Sequence, residues 1–259
     1  MTGRHTRHIV LAILVLAVVS AASCAPTDDL RAAAEQGDAV AQYNLGIKYD
    51  NGDGVPQDDA EAVRWYRLAA DQGLADAQNN LARSYSTGRG VPQDHAEAVR
   101  WLRLAAEQGS AVPQYNLGVK YGMGDGVPQD DAEAVRWYRL AAEQGHALAQ
   151  SKLGFNYLHG EGVPQDHAEA VRWLRLAAEQ GESSAQYNLG ISYGQGNVVQ
   201  RDFVKAHMWT NLAASQSSGE EKERAVFLRD TIAELMTPAQ IAEAQRLARD
   251  WEVAHPREP

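Results

Sequence analysis

A stretch of twenty residues recurs almost unchanged along this chain at a fixed interval. GVPQDDAEAVRWYRLAADQG begins at Gly54, and further copies begin at Gly90, Gly126 and Gly162, each 36 residues after the last. The second and fourth copies are identical, and a degraded fifth copy occupies residues 198–216. Self-similarity at this kind of period is typical of a solenoid, in which each unit packs only on its neighbours. The period therefore predicts a stack of small units.

The first half of each unit has the pattern of an amphipathic helix. In DAVAQYNLGIKY (38–49), Ala41, Leu45 and Tyr49 follow one another at intervals of four residues and share one helical face. Gly46 lies inside this helix, where glycine costs up to about 1 kcal/mol of helix propensity. A small side chain allows a second helix to approach closely, so we expect a tight helix contact at this position in every unit.

The second half of each unit predicts another helix. In DDAEAVRWYRLAADQG (58–73), Asp58 precedes Glu61 by three residues, as in a capping box, and Gly73 is a residue type favoured just after a helix. The glycines and proline of NGDGVP predict a turn between the halves. Apolar residues surround most of the second helix, so neighbours should bury it on both sides. We expect one buried tryptophan per unit: Trp65, Trp101, Trp137, Trp173 and Trp209.

The combined pattern, A–x3–L–G–x2–Y–x2–G–x–G–V–x2–D–x3–A–x2–W–x3–A–A–x2–G, resembles the Sel1-like repeat, a relative of the tetratricopeptide repeat. This resemblance implies an all-α, right-handed α-solenoid of about five 36-residue helix–loop–helix repeats that recruits other proteins. In the first unit the matching residues are Ala41, Leu45, Gly46, Tyr49, Gly52, Gly54, Val55, Asp58, Ala62, Trp65, Ala69, Ala70 and Gly73.

The repeat phase divides the chain into units, and both ends have features of helical caps. TDDLRAAAEQG (27–37) has the pattern of the second helix of an incomplete unit, and Thr237 with Gln240 has capping-box spacing around a proline. We predict a linker and capping helix over 24–36, repeats over 37–216, and a helical cap and tail over 217–259. The predicted units are 37–72, 73–108, 109–144, 145–180 and 181–216.

Residues 1–23 have the organisation of an export signal. Arg4 and Arg7 precede an apolar run (9–19), and small residues follow it. The run is shorter than the roughly 20 residues that span a bilayer comfortably, although an uncleaved anchor is the alternative. Cys24, the single cysteine, follows directly, and AASC resembles the lipobox of bacterial lipoproteins.

If Cys24 is lipidated, it becomes the first residue of the mature chain; ordinary cleavage, for instance after Ala22, would instead leave a free thiol. In lipoproteins an Asp after the cysteine favours the inner membrane, and Ala25 therefore favours the outer membrane. We expect an exported protein, either periplasmic or held at the outer membrane by lipid.

Neither the composition nor the motifs of this sequence indicate a catalytic site, a metal site or a surface that binds nucleic acid or anionic lipid. The formal net charge of −10 and the lack of a Lys/Arg-rich run argue against nucleic acid and against attachment to anionic lipid. The glycine loops lack the ligand spacing of a calcium-binding EF-hand, and no His–Glu–His arrangement indicates zinc. We expect no catalytic residue, cofactor or metal. The alternative is a secreted enzyme, because some cysteine-rich relatives have been linked to β-lactam binding or hydrolysis; this chain has no cysteine pair.

Sequence differences between the units point to a binding surface on the first helices. The second helices are nearly invariant within the chain, whereas the first helices differ at positions spaced so that they share one side. In tetratricopeptide repeats the equivalent positions hold ligand peptide, so we predict a concave groove on a monomeric chain that docks a segment of a protein of unknown identity. The alternative is that some of these residues complete the core between repeats. The predicted residues are Tyr43, Ile47, Arg83, Tyr115, Val119, Phe155, Tyr187 and Ile191.

Overall fold

The computed structural model describes residues 26–196 and 198–256, and the described chain is helical throughout, without strands. The predicted export signal and Cys24 lie outside the described residues. The thirteen helices of the described part are α1 Pro26–Glu35, α2 Ala39–Asn51, α3 Asp59–Asp71, α4 Ala75–Thr87, α5 His95–Glu107, α6 Ala111–Met123, α7 Asp131–Glu143, α8 Ala147–His159, α9 His167–Glu179, α10 Ser183–Gln195, α11 Phe203–Gln216, α12 Gly219–Ala233 and α13 Pro238–Ala254.

Helices α2 to α11 form five hairpins that stack in chain order. The first helices (α2, α4, α6, α8, α10) each pack on the second helix of the same unit (α3, α5, α7, α9, α11), and each second helix up to α9 also packs on the first helix of the next unit. No sheet or distant element intervenes within the described chain. The predicted all-α repeat stack is confirmed.

The joint between two units depends on a glycine in the loop. Gly90 adopts a left-handed conformation with φ of +72°, and a Cβ atom built on it would lie 2.0 Å from the carbonyl oxygen of Asp59 in the preceding unit. A Cβ atom on Gly126 would likewise collide with the carbonyl oxygen of His95, and one on Gly162 with that of Asp131. A side chain at these positions would collide with backbone, so the loop fixes how closely successive units approach.

The start of each second helix is capped as predicted, but only on one side. The Asp58 carboxylate accepts hydrogen bonds from the backbone N–H groups of Ala60 and Glu61, each at 3.0 Å. The reciprocal bond of a capping box is not formed, because the backbone N–H of Asp58 donates to the Tyr49 carbonyl oxygen instead, at 3.0 Å. Asp58 therefore has two roles: its side chain caps the start of the second helix, and its backbone N–H ties the end of the loop to the first helix.

The glycine inside the first helix lies against the second helix of the same unit, as its small size predicted. A Cβ on Gly46 would lie 2.7 Å from ring carbons of Tyr66, and one on Gly118 would meet Tyr138 at the same distance. The ring occupies the space that a side chain would need. This close approach offsets the helix propensity that glycine loses.

The five tryptophans are buried, with 5–8 % of their surface exposed. Each groups with the unit before it: Trp137 belongs to the cluster of Ala98 and Leu102, and Trp65 to that of Ala34 in α1. Each tryptophan therefore joins two units.

Two further hydrogen-bond series cross the joints. The Gln114 side chain, 4 % exposed, donates to the carbonyl oxygen of Ala106 in the preceding unit at 3.2 Å and accepts from Gln144 of its own unit at 2.7 Å. The Arg103 guanidinium donates to the Tyr121 hydroxyl of the next unit at 2.7 Å. Equivalent bonds occur at the other joints, so neighbouring units are held by polar as well as apolar contacts.

Helix α12 continues the series of first helices. It begins five 36-residue periods after the start of α2. Arg229 of α12 donates to Asn211 eighteen residues earlier, at 3.3 Å, and eighteen residues also separate the partners in the arginine–tyrosine bonds. Ala225 lies at the position of Leu45 and is 1 % exposed. The region predicted as a cap therefore starts as a sixth, degenerate first helix.

Helix α13 leaves the repeat pattern and packs on α11. It covers Leu212, which is 0 % exposed and groups with Ile232 and Ala248. Trp251 of α13 meets Trp209 edge-on at 6.3 Å. The leucines at the position of Leu212 in the other units are 37–40 % exposed; they are Leu68, Leu104, Leu140 and Leu176. Helix α13 therefore lies over the side of α11 that faces solvent in the other second helices.

Candidate functional site

The first helices lie side by side and form a continuous surface, which we call the first-helix face. Polar contacts join neighbouring first helices: Asn116 donates to Asn79 at 3.0 Å, and the hydroxyls of Ser151 and Ser184 are 2.9 Å apart. Asn79, Ser151 and Ser184 occupy positions that differ between units. The predicted site residues thus share one surface.

Apolar side chains are exposed along this face. Val40 is 56 % exposed, Val112 49 % and Leu148 45 %, all at the same position of their units. The face continues onto α12, where Phe227 is 74 % exposed and lies five periods after Ile47. Exposed apolar residues that line up on one surface are typical of a protein-binding site. Sequence reasoning missed Phe227 because α12 lacks the repeat motif, although counting in steps of 36 residues locates it.

Two of the predicted site tyrosines pack within their own units. The ring of Tyr43 lies 6.0 Å from that of Tyr66, and the ring of Tyr115 lies 5.9 Å from that of Tyr138. Tyr115 also stacks on His146 at 4.9 Å. Both predicted tyrosines are half-buried and pack against core clusters.

The second helix explains why this first-helix position varies. In the first four units, tyrosine occurs where the second helix carries Tyr66 or Tyr138, and Asn79 and Ser151 occur where it carries leucine. In these units the variation therefore follows packing inside the unit, whereas Tyr187 of unit five lies opposite a threonine and packs toward α12. That pairing is visible in the sequence.

Most of the other predicted site residues are half-buried against neighbouring side chains, and one is exposed. Ile47 and Val119 are half-buried against core clusters, and the Phe155 ring lies 4.3 Å from that of His159. Tyr187 packs with Val226 of α12 against the cluster that contains Ala225. Ile191 is half-buried, and Arg83 is exposed. All eight predicted residues are therefore on the first helices, at different depths.

A polar cavity of about 500 Å³ opens at the α2 end of the face. Asp50 accepts hydrogen bonds there from Tyr66 at 3.2 Å and from Arg83 at 2.5 Å, and it lies 3.1 Å from Arg89. Arg89 also binds Asp59 at 2.7 Å. Burial and the Asp50 charge raise the pKa of Tyr66, so its hydroxyl stays protonated and donates to this carboxylate.

A smaller pocket of about 130 Å³ opens at the other end, between α10 and α12. Tyr187, Ser184 and Ala225 line it, with Glu221 and Arg224 among the other residues around it. Every complete unit has leucine at the position of Ala225. The pocket exists where this smaller side chain replaces the leucine.

His146 contacts Tyr115 of the first-helix face and caps α8, the helix that follows it. Its Nδ1 accepts a hydrogen bond from the backbone N–H of Ala149 at 3.2 Å, so the neutral imidazole caps α8. Burial lowers the pKa of His146, which favours this neutral form.

Within residues 26–196 and 198–256, no group of three His, Cys, Asp or Glu side chains is arranged to hold a metal ion. The helices described for this chain include none that is both long and apolar enough to cross a membrane.

The sequence model of the Sel1 repeat family matches five stretches of the chain: residues 39–74, 75–110, 114–146, 147–182 and 183–218. The chain belongs to the Sel1 repeat family. Four of the five matches start two residues after the predicted units, at the first residue of the first helix, and the third starts inside α6 at residue 114. Sel1 repeat proteins are generally scaffolds for protein–protein interaction, and proteins of this fold are typically non-catalytic.

Two solved structures of Sel1-type proteins resemble this one. The first is c5321 of uropathogenic Escherichia coli, described as a protective antigen displaying an SLR fold; it is 39 % identical, with a TM-score of 0.74, over 86 % of this chain and 48 % of that one. The present chain therefore spans about half of the E. coli protein. The second is a Sel1 repeat protein from Oxalobacter formigenes, 29 % identical, with a TM-score of 0.70, over 86 % of this chain and 99 % of the other. No curated protein sequence gave a match.

Proposed function

We propose that this Sel1 repeat protein is a non-enzymatic scaffold of the bacterial cell envelope that docks a segment of a partner protein on its first-helix face. The observation that carries the proposal is the exposure of apolar side chains on that face: Val40, Val112, Leu148 and Phe227 are 45–74 % exposed. Burying such side chains on a partner contributes about 25 cal/mol per Å² of apolar surface. A scaffold needs this kind of surface and needs no reactive group.

The residues that other units carry at the same positions provide a test. The variant Val112→Asp with Leu148→Ser places on the face residues that units two and five already hold, Asp76 and Ser184, so the fold should tolerate both. Leu104→Asp with Leu140→Ser introduces the same two polar residues on the second helices, at positions that are 37–39 % exposed. Immobilised full chain would be used to capture proteins from a solubilised envelope fraction.

We expect the Val112/Leu148 variant to lose the captured protein and the Leu104/Leu140 variant to retain it, with similar melting temperatures. Equal capture by both variants would contradict docking on the first-helix face.

The envelope location rests on the sequence before α1. An apolar run between Arg7 and a small-residue segment favours export, and Cys24 after AASC favours acylation of that cysteine. We expect the full chain, expressed in a bacterium, to incorporate labelled fatty acid and to fractionate with membranes. The Cys24→Ser variant should lose the label; a wild-type chain without label in the soluble periplasmic fraction would rule out the lipid anchor.

A further inference from the structure

We infer that the partner segment carries a carboxylate for the α2 end of the first-helix face and an aliphatic side chain for the α12 end. This inference rests on the proposed function and adds the chemistry of the partner. Two features that interrupt the repeat pattern, one at each end, support it.

The α2 end differs from the rest of the face by carrying two arginines. Arg83 lies at a position that is apolar in every other unit. Arg89 lies at a position that carries an acid in units one, three and four, as Asp53, Asp125 and Glu161. The second unit therefore places two guanidinium groups on this surface, beside the cavity of about 500 Å³.

Both guanidinium groups keep donors that no acceptor among the described residues uses. Within residues 26–196 and 198–256, Arg83 makes a hydrogen bond only through Nη2, to Asp50, and its side chain is 55 % exposed. Arg89 uses Nε and Nη2 toward Asp59, and its Nη1 has no acceptor in the described part of the chain; the side chain is 48 % exposed. Guanidinium groups bind carboxylates through paired N–H donors, so an acidic residue of a partner fits this end.

Asp50 competes with an incoming carboxylate. Its side chain is only 14 % exposed and lies within hydrogen-bonding distance of both arginines. The equivalent positions in the other units are Ser86, Gly122, Leu158 and Gly194, so the repeat fold does not need an acid there. Removing the Asp50 charge should therefore free Arg83, leave Arg89 paired with Asp59 alone, and strengthen the binding of an acidic peptide.

The α12 end accepts an aliphatic side chain. The pocket beside Tyr187 has a volume of about 130 Å³, and an apolar cavity of about 150 Å³ is known to hold benzene, so a branched aliphatic group fits. Ala225→Leu would restore the residue that every complete unit carries at this position and would fill the pocket. This change is expected to keep or raise stability.

The two ends set a minimum length for the segment. Neighbouring helix axes lie about 10 Å apart, so the four steps from the α2–α4 groove to the α10–α12 groove span about 40 Å. An extended chain covers about 3.3 Å per residue and needs about 12 residues for this distance. A segment of at least that length can reach both ends.

The test uses a phage-displayed library of random 16-residue peptides, selected on the immobilised full chain. We expect the selected peptides to combine an acidic residue at one end with an aliphatic residue about 12 positions away. For a selected peptide, Arg83→Ile with Arg89→Asp should weaken binding about ten-fold or more, because these changes install residues of other units and remove both cations. Asp50→Asn should strengthen binding, and Ala225→Leu should abolish the aliphatic preference.

The outcomes separate this inference from the proposed function. Peptides that lose binding to the Val112/Leu148 variant but show no acidic preference, or that keep it on the Arg83/Arg89 variant, overturn the inference and leave docking on the face intact. No enrichment at all, or peptides that bind the Val112/Leu148 variant equally well, overturns both. Circular dichroism of each variant verifies its fold.

Discussion

The side-chain amide nitrogen of Gln144 lies 2.7 Å from Oε1 of Gln114, and this bond recurs in units one, two and four but not in unit five. Gln186, at the fifth equivalent position, is 0 % exposed, and its Oε1 accepts no hydrogen bond from any described residue. Gln216, whose position corresponds to Gln144, makes no side-chain bond to it within the described residues. The chain thus contains the same buried amide with and without its donor.

This difference predicts unequal costs for two equivalent substitutions. Gln144→Ala should lower the free energy of unfolding by about 1–2 kcal/mol, because it leaves the buried Oε1 of Gln114 without a donor. Gln216→Ala should have less than half that effect, since the fifth bond is already absent. Urea unfolding of both variants gives the comparison, and equal losses would show that the glutamine bonds do not stabilise the joints.

Substitution of two left-handed glycines, Gly90 and Gly73, by alanine gives a second matched comparison. Gly90→Ala should destabilise the protein by several kcal/mol, because the new Cβ would meet the Asp59 carbonyl oxygen in addition to the left-handed strain. Gly73 is also left-handed, at φ +91°, but a Cβ there would have no atom within 4 Å. Gly73→Ala should therefore cost only the strain, about 1–2 kcal/mol. Thermal unfolding of both variants tests this, and similar melting temperatures would mean that the loop yields to the added methyl group.

Leu212 and Leu176 occupy the same position of the repeat, but helix α13 covers Leu212 and leaves Leu176 partly exposed. Leu212→Ala should cost about 2–5 kcal/mol, since Leu212 is 0 % exposed beneath α13. Leu176→Ala should cost less than about 1 kcal/mol, because Leu176 is 37 % exposed. Chemical denaturation measures both, and a large loss for Leu176→Ala would indicate that the second helices are covered in solution.

Stability should fall in acid partly because of His207. This residue replaces the valine of the other units, is 4 % exposed, and its Nδ1 has no partner among the described residues. Burial and, secondarily, Arg229 lower the pKa of His207 in the folded chain, while Asp230 opposes the shift. The unfolded chain therefore takes up a proton first, and stability is lost as pH falls below about 6.5.

The variant His207→Val should reduce this pH dependence. We expect its melting temperature to fall less than that of wild type between pH 8 and pH 5. A smaller acid sensitivity should remain, because burial also lowers the pKa of His146. Parallel melting curves of wild type and variant across this range would contradict the prediction.

The contributions of Tyr115 and Tyr138 in unit three to the free energy of unfolding should be coupled. Tyr115→Asn alone should be destabilising, because it removes the contact with Tyr138 at 5.9 Å. Combining it with Tyr138→Leu recreates the Asn79–Leu102 pair of unit two, so the double variant should cost less than the sum of the single variants. A coupling of about 0.5–1.5 kcal/mol in a double-mutant cycle is expected. Additive losses would show that Tyr115 does not depend on Tyr138.

The sequence predicted the repeat stack well because the dominant contacts are local and recur. The period located the hairpins, the glycine in the first helix predicted a close approach of a second helix, and Asp58 marked the start of the second helix. The depth of individual site residues was less predictable. A tyrosine on the variable side of a first helix can pack within its own hairpin, as Tyr43 does on Tyr66, or toward the next first helix, as Tyr187 does with Val226.

The C-terminal region was predictable only in part, for a different reason. The capping box of Thr237 and Gln240 and the proline after it correctly marked the start of α13. Nothing in the residues of α13 specified that it would pack on α11 instead of pairing with α12. That choice depends on how the exposed side of α11 changes, with Met208 and Asn211 in place of the arginines of the other units.

The position of α13 over Leu212 limits where such a chain can gain or lose length. A whole 36-residue unit could be duplicated or deleted among the first four without altering the helices α1 and α13 that cover the ends of the stack, because the joints of these units are interchangeable. An extra unit inserted after α11 would separate α13 from the only leucine of the series that it covers. Gene duplication is therefore expected to vary the interior of the array while the final unit and its lid are inherited together.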